Sequence, residues 1–259
     1  MKEKFNLISK NKLVKKLLVN KKSKAGRNNF GRITIRHRER GTKKKFRIMD
    51  YYRSLWYVPG YIIKFEYDPN RNTLISFVTY FCGVISYIIS VEGMLIGDII
   101  LSGCKIFLRS GDCSPLKFIP INAKINNIEY RKNCGSQLIR ASGCFGKVIF
   151  KNQFLSIIKL MSGKLKQIDL ACIATLGIIF NFNFYLFRYK TAGLLRRKGF
   201  RPCVRGVAMN PVDHPYGGGE GKKSKKKICM SPWGKLIKGK KTRKKNLNNE
   251  VTLKRYLFG

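Results

Sequence analysis

A mainly β fold, with small barrels or a sandwich set between two basic extensions, is predicted by three features of the sequence. From residue 51 to about 166, β-branched and aromatic runs alternate with turn chemistry: Asp68-Pro69-Asn70, Cys82-Gly83, Glu92-Gly93, Ser110-Gly111-Asp112, Asn133-Cys134-Gly135 and Ser162-Gly163. Runs of about five to seven residues at that spacing suit barrel or sandwich strands, and helix content is expected to be low. Charge supplies the third feature, because it is concentrated at the two ends. Residues 1–50 hold 18 basic and 3 acidic side chains, residues 196–259 hold 19 and 3, and residues 51–195 hold 17 and 7.

In chain order, the N-terminal arm has no sustained apolar face after Asn20, and its Lys21-Lys22-Ser23-Lys24 stretch cannot bury enough surface to order itself without a partner. Within it, alternation over residues 32–36 predicts an extended segment with Arg32, Thr34 and Arg36 on one side and Ile33 and Ile35 on the other. Two uncharged runs follow, residues 74–91 and 170–187, each near the length of about 18 residues that marks a membrane span. The first is broken by Cys82-Gly83 and reads as two strands and a turn; the second is interrupted by Gly177, Asn181 and Asn183. A short helix is expected from about 183 to 195, ahead of Arg196-Arg197-Lys198. The C-terminal arm carries cations at a density that repels until phosphates neutralise it.

Eight cysteines raise the question of disulfides or metal. No two lie within the two-to-four-residue spacing of a zinc knuckle, and only His37 and His214 accompany them, so reduced, mostly buried thiols are expected. The formal charge of +41 implies a polyanionic partner, nucleic acid first.

The segment richest in information is Arg205-Gly206-Val207-Ala208-Met209-Asn210-Pro211-Val212-Asp213-His214-Pro215-Tyr216-Gly217-Gly218-Gly219-Glu220-Gly221. Three consecutive glycines allow backbone to approach a phosphate chain or to adopt positive φ, while Pro211 and Pro215 stiffen the rest. A nucleotide-binding P-loop is excluded by spacing: its first glycine would fall on Tyr216 and its hydroxyl residue on Lys223.

This segment resembles the signature of the universal large-subunit ribosomal protein L two family, of bacterial and organellar type. The resemblance continues through Gly199-Phe200-Arg201-Pro202-Cys203-Val204, Ser231-Pro232-Trp233-Gly234 and Lys238-Gly239-Lys240-Lys241-Thr242-Arg243. Near the N-terminus, residues 26–37, Phe46-Arg47-Ile48-Met49-Asp50 and Glu66-Tyr67-Asp68-Pro69-Asn70-Arg71 look like the same family. It covers roughly residues 26–245.

The resemblance implies an OB-like barrel followed by an SH3-like barrel, with long basic extensions at both ends. The corresponding divisions are residues 1–31 as N-terminal extension, 32–108 as OB-like barrel, 109–193 as SH3-like barrel and 194–259 as Gly-rich C-terminal extension. It implies a structural constituent of the large ribosomal subunit that binds ribosomal RNA and neighbouring ribosomal proteins, supports the peptidyl-transferase centre and subunit association, and touches the small subunit. No enzymatic activity is expected. The RNA-binding residues are then Arg27, Asn28, Arg32, Arg36, His37, Arg38, Arg201, Arg205, Asn210, His214, Gly217, Gly218, Gly219, Lys222, Trp233, Lys240, Lys241 and Arg243. No cofactor is expected beyond Mg²⁺ carried by the RNA.

His214 in its Asp-His-Pro triplet invites an acid–base role. The family's loop has a second His where this chain has Tyr216, and no orienting group is visible, so His214 is expected to fix the loop and meet RNA. A rival reading, a basic organellar membrane protein with two short hydrophobic spans, would insert residues 74–91 and 170–187. Enrichment in Phe, Ile, Tyr, Asn and Lys looks like an AT-rich organellar coding sequence, and no Arg- and Ser-rich presequence is evident. The expected location is the mitochondrial matrix ribosome, with a plastid as the alternative.

Overall fold

The first strand to set the architecture is one with no polar face. The computed structural model describes residues 14–104, 108–219 and 228–239, and in it Leu74–Tyr80 (β4) is buried along nearly its whole length. Leu74, Val78 and Tyr80 point into one apolar cluster with Ile62, Phe65, Ile88 and Ile100. Ile75 and Phe77 point the other way, into a second cluster with Met49, Tyr87, Ile89 and Ile179. A strand buried on both faces loses the usual alternation and reads as continuous apolar sequence. Residues 74–91 therefore mimic a membrane span only because two cores share one strand. No helix among the described residues is long and apolar enough to cross a membrane.

Around β4 the OB-like part is assembled from Leu18–Lys21 (β1), Lys44–Arg47 (β2), Gly60–Tyr67 (β3), Ile85–Ile89 (β5) and Ile99–Ile100 (β6). β1 pairs antiparallel with β2, and the remaining strands form an antiparallel sheet in the order β5-β4-β3-β6. The β4–β5 turn at Cys82-Gly83 is closed by the Gly83 amide donating to the Tyr80 carbonyl at 2.8 Å, with Gly83 at φ +79°. A bulge in β3 between Ile62 and Lys64 shifts the register, and beyond it Lys64, Phe65 and Glu66 are all buried. The buried charges compensate one another: Lys64 Nζ lies 2.7 Å from Glu66 Oε1, and Tyr87 donates to Glu66 Oε2 at 2.8 Å. Burial and the Glu66 carboxylate together push the Tyr87 hydroxyl well above its ordinary pKa.

The SH3-like part comprises Cys113–Pro115 (β7), Lys124–Asn126 (β8), Ile128–Glu129 (β9), Ser136–Leu138 (β10), Gly146–Lys151 (β11), Leu155–Lys159 (β12), Leu165–Asp169 (β13) and Ile173–Leu176 (β14). Six of these form one antiparallel sheet, β13-β12-β11-β8-β14-β7, and β9 and β10 make a separate pair. Its core gathers Leu116, Ile125, Ile128, Val148, Ile158 and Leu176. The second uncharged run is only in part a buried strand: β14 is buried at every position, whereas residues 182–187 are mostly exposed.

The chain then returns to the OB-like part. Val91 and Ile179 form a backbone bridge, Phe180 donates to the Ser90 carbonyl at 3.0 Å, and Ile179 completes the cluster around Tyr87. Arg53 is a second tie. Only 4% exposed and held at φ +49°, it donates to Ser102 Oγ at 3.0 Å and to the Gly111 carbonyl at 3.2 Å.

Two expectations are corrected. The helix anticipated over 183–195 is split: Phe182–Leu186 is a 3₁₀ turn following Asn181 at φ +73°, and the α-helix (α1) is Ala192–Lys198. Aromatic residues at 182–187 compete poorly for helix, whereas Leu194-Leu195-Arg196-Arg197-Lys198 ends on Gly199 at φ +96°, a left-handed C-cap. The thiols are free, as expected, but not mostly buried. Cys113 and Cys172 are buried, with burial pushing them up to about 11 and about 12, whereas Cys82, Cys134 and Cys203 are exposed. Cys82 and Cys134 sit in turns, where side chains face water.

Replacing Arg53 with Met is expected to lower unfolding stability by about 2–4 kcal/mol, because buried carbonyl and hydroxyl acceptors lose their donor. A urea titration of the full chain at high salt measures it; an unchanged midpoint would show that Arg53 is dispensable.

Candidate nucleic-acid interface

The two basic ends of the chain are brought together in a second packing unit, which groups residues 22–43 with the segment beginning at Tyr189. Residues 37–42 run beside residues 197–201. Arg201 donates its amide to the His37 carbonyl at 3.1 Å, Glu39 donates to Gly199 at 3.0 Å, and Thr42 donates to Arg197 at 2.9 Å. Arg196 clamps this pairing by donating to both carboxylate oxygens of Glu39, at 2.6 and 2.9 Å. That side-chain hydrogen bond is the main reason the Glu39 carboxyl is held below the usual carboxylate range, with Arg201 adding to it. Residues 37–42 thus find support within the chain, on residues 197–201.

The extended segment anticipated over 32–36 is not formed. Thr34 and Ile35 both donate their amides to the Gly26 carbonyl, at 3.0 and 3.1 Å, and Asn28 Oδ1 accepts from the Arg32 amide at 3.0 Å. Turn chemistry therefore outcompetes alternation. Asn28 bonds to backbone four residues on, and Gly26, at φ +76°, has no room for a Cβ against the Ile35 carbonyl.

Of the anticipated RNA-binding residues, Arg27, Arg36, His37, Arg38 and Arg201 line one open depression of about 800 Å³. Arg38 lies over the Phe200 ring at 4.4 Å and Arg36 over the Trp233 ring at 5.7 Å, so two guanidinium groups are held by aromatic faces. Trp233 remains 70% exposed.

Arg205, Asn210, His214, Gly217, Gly218 and Gly219 belong to a separate finger. It opens with a 3₁₀ turn, Gly206–Ala208. His214 is buried inside it, and its Nδ1 accepts the Tyr216 amide at 3.1 Å. In the neutral ring Nε2 then carries the hydrogen. Gly206 packs directly on the imidazole, where any Cβ would collide with it. The glycines differ in what they do. Gly217 lies against the Asn210 carbonyl, Gly218 at φ +77° lies against Pro211, and only Gly219 has open space beside it.

Tyr216 was not singled out from sequence, yet it ties the finger to the next segment. Its hydroxyl donates to the Ile228 carbonyl at 2.5 Å and accepts the Met230 amide at 2.7 Å. Its place where the family resemblance expects His was the available signal. Glu39 and Arg196, 157 residues apart, were likewise invisible as a pair. Two tyrosines that could offer ring faces to bases are engaged within the protein: Tyr51 accepts from Arg71 at 2.6 Å and Tyr57 accepts the Cys104 amide at 3.2 Å. Lys222, Lys240, Lys241 and Arg243 lie outside the described residues. Among the described residues no cluster of His, Cys, Asp or Glu could hold a metal ion.

Two changes test this geometry. Arg196→Ala should return the Glu39 titration, followed by carboxyl NMR, toward an ordinary glutamate value of about 4.3. Because the folded pKa is depressed, the contact's stabilising contribution is present above the unfolded pKa and lost as pH falls through the folded one; a Glu39 midpoint unaffected by Arg196→Ala would contradict the pairing. Gly217→Ala should displace the finger, seen as altered amide shifts at residues 209–218, whereas Gly193→Ala, in open space on α1, should stabilise by roughly 0.5–1 kcal/mol.

Comparison with known proteins is direct. Residues 14–102 match the family model described as Ribosomal Proteins L2, RNA binding N-terminal domain, and residues 109–234 match Ribosomal Proteins L2, C-terminal domain. The chain is 44% identical over 248 residues to the large ribosomal subunit protein uL2 of Wolbachia sp. subsp. Brugia malayi (strain TRS), covering 95% of this chain and 90% of that protein. It is 41% identical over 245 residues to uL2 of Hyphomonas neptunium (strain ATCC 15444), covering 95% and 87%, and 42% identical over 246 residues to uL2 of Orientia tsutsugamushi (strain Ikeda), covering 95% and 90%.

Proposed function

The chain belongs to the ribosomal protein L2 family, and from that premise we propose how its residues serve a ribosome. It is a constituent of the large subunit, a binder of ribosomal RNA and not an enzyme. The finer reading is that Arg27, Arg36, Arg38 and Arg201 meet phosphates along the depression, while the finger at residues 205–219 enters RNA as a preformed probe. The observation carrying this reading is the convergence of those four arginines, from two ends of the sequence, on one open surface. Each cation that displaces a counterion contributes without reading sequence.

His214 acts as the finger's internal brace. Buried against Gly206 and bonded to the Tyr216 amide, it is occupied in holding shape, so its contribution to the peptidyl-transferase centre is architectural. Contact with the small subunit and support of subunit association follow from the family resemblance. Mg²⁺ at the interface would be held by RNA oxygens. The composition, rich in Phe, Ile, Tyr, Asn and Lys, supports an organellar ribosome, taken as mitochondrial with a plastid as the alternative; the relatives compared are bacterial.

Full-length chain should co-sediment with large subunits through a high-salt gradient. Arg36→Ala and Arg201→Ala should each reduce the slope of log K against log salt for RNA binding by about 1. Recovery away from large subunits would overturn the placement, and unchanged slopes would overturn these two contacts. Organelle fractionation decides location, with the protein expected in mitochondria.

A further inference from the structure

We propose that the depression beside Ile33 and Ile35 receives a single unpaired nucleobase, so that the chain recognises a bulged or extruded nucleotide there and not a continuous RNA duplex. This rests on the RNA-binding reading above and specifies the form of the partner.

Phosphate neutralisation explains the arginines of this surface but not its two isoleucines. Ile33 and Ile35 both line the depression, and they are 60% and 58% exposed. Their exposure is imposed by the local backbone. The Thr34 and Ile35 amides are both tied to the Gly26 carbonyl, and Ile33 bridges to Arg27, so neither residue can rotate toward a core without breaking those bonds. Two branched aliphatic side chains are thus held toward solvent in the middle of a cationic site.

The surrounding charge selects the occupant. Arg27, Arg36, Arg38 and Arg201 border the same space, and the carboxylate among its lining residues, Glu39, is engaged by Arg196. An apolar peptide would gain nothing from these guanidinium groups. A duplex would satisfy them through its phosphates, but its bases stay stacked and would leave both isoleucines in contact with water. An unpaired nucleotide satisfies both features: its base lays a π face on the aliphatic floor while its flanking phosphates meet the arginines. Every base has such a face, so the site selects for extrusion more than for base identity.

The test uses the full-length chain and two RNA hairpins of equal length and charge, each carrying one 2-aminopurine, unpaired in a single-nucleotide bulge in one hairpin and paired in the other. The bulged RNA should bind roughly tenfold more tightly, with a change in 2-aminopurine fluorescence on binding. The double substitution Ile33→Ser and Ile35→Ser should remove that preference while leaving affinity for the paired hairpin and its salt slope unchanged; because both side chains are exposed, the paired hairpin also reports that the protein remains folded. Equal affinity of the unsubstituted chain for the two hairpins, or a preference that survives the double substitution, would overturn the inference and leave RNA binding intact. Failure to bind either hairpin would overturn the RNA-binding reading as well.

Discussion

Uncompensated positive charge is the constraint under which every part of this protein is arranged. With 54 Lys and Arg against 13 Asp and Glu, the chain cannot pair most of its cations internally, and its cores are built from predominantly apolar sequence with the few buried cations each bonded to a partner. The result is a division of labour along the chain. Apolar residues are concentrated in β-rich parts whose central strands are buried on both faces, and cations accumulate where residues 22–43 meet the segment beginning at Tyr189. The few carboxylates are correspondingly well used: Glu66 compensates Lys64 within a core, Asp68 receives Arg71 at 2.9 Å, and Glu39 fastens one arm to the other through Arg196.

The finger shows how a loop without regular secondary structure is made rigid. Its glycines serve close packing against carbonyls and proline, its histidine is enclosed, and its tyrosine bonds to the segment beyond. Such a loop is shaped before it meets any partner, so little conformational entropy would be lost on binding. His214, a residue type often read as an acid or base, is buried and has its Nδ1 taken by the Tyr216 amide within the finger itself.

The sequence made much of this legible. Asp68-Pro69-Asn70, Cys82-Gly83, Glu92-Gly93 and Ser162-Gly163 are turns as read, because turn residues act through their own φ angles and side chains. The interruption at Cys82-Gly83 separated a strand pair from a membrane span for the same reason. Alternation was less dependable. Over residues 32–36 it suggested an extended edge, but Asn28 and Gly26 closed the segment into turns, and over 183–195 aromatic residues and Asn181 divided the expected helix.

What the sequence determined by itself was local and compositional: a β-rich body, its punctuation, an electrostatic demand for a polyanion, and a glycine-rich signature specific enough to suggest a family. Tertiary structure alone decided that β4 serves two cores, that Arg53 ties residue 102 to residue 111, and that His37 and Arg201 are neighbours. These depend on pairings between residues far apart in the chain, whose energies come from mutual burial and hydrogen bonding once both partners are in place. No propensity of either residue alone encodes them.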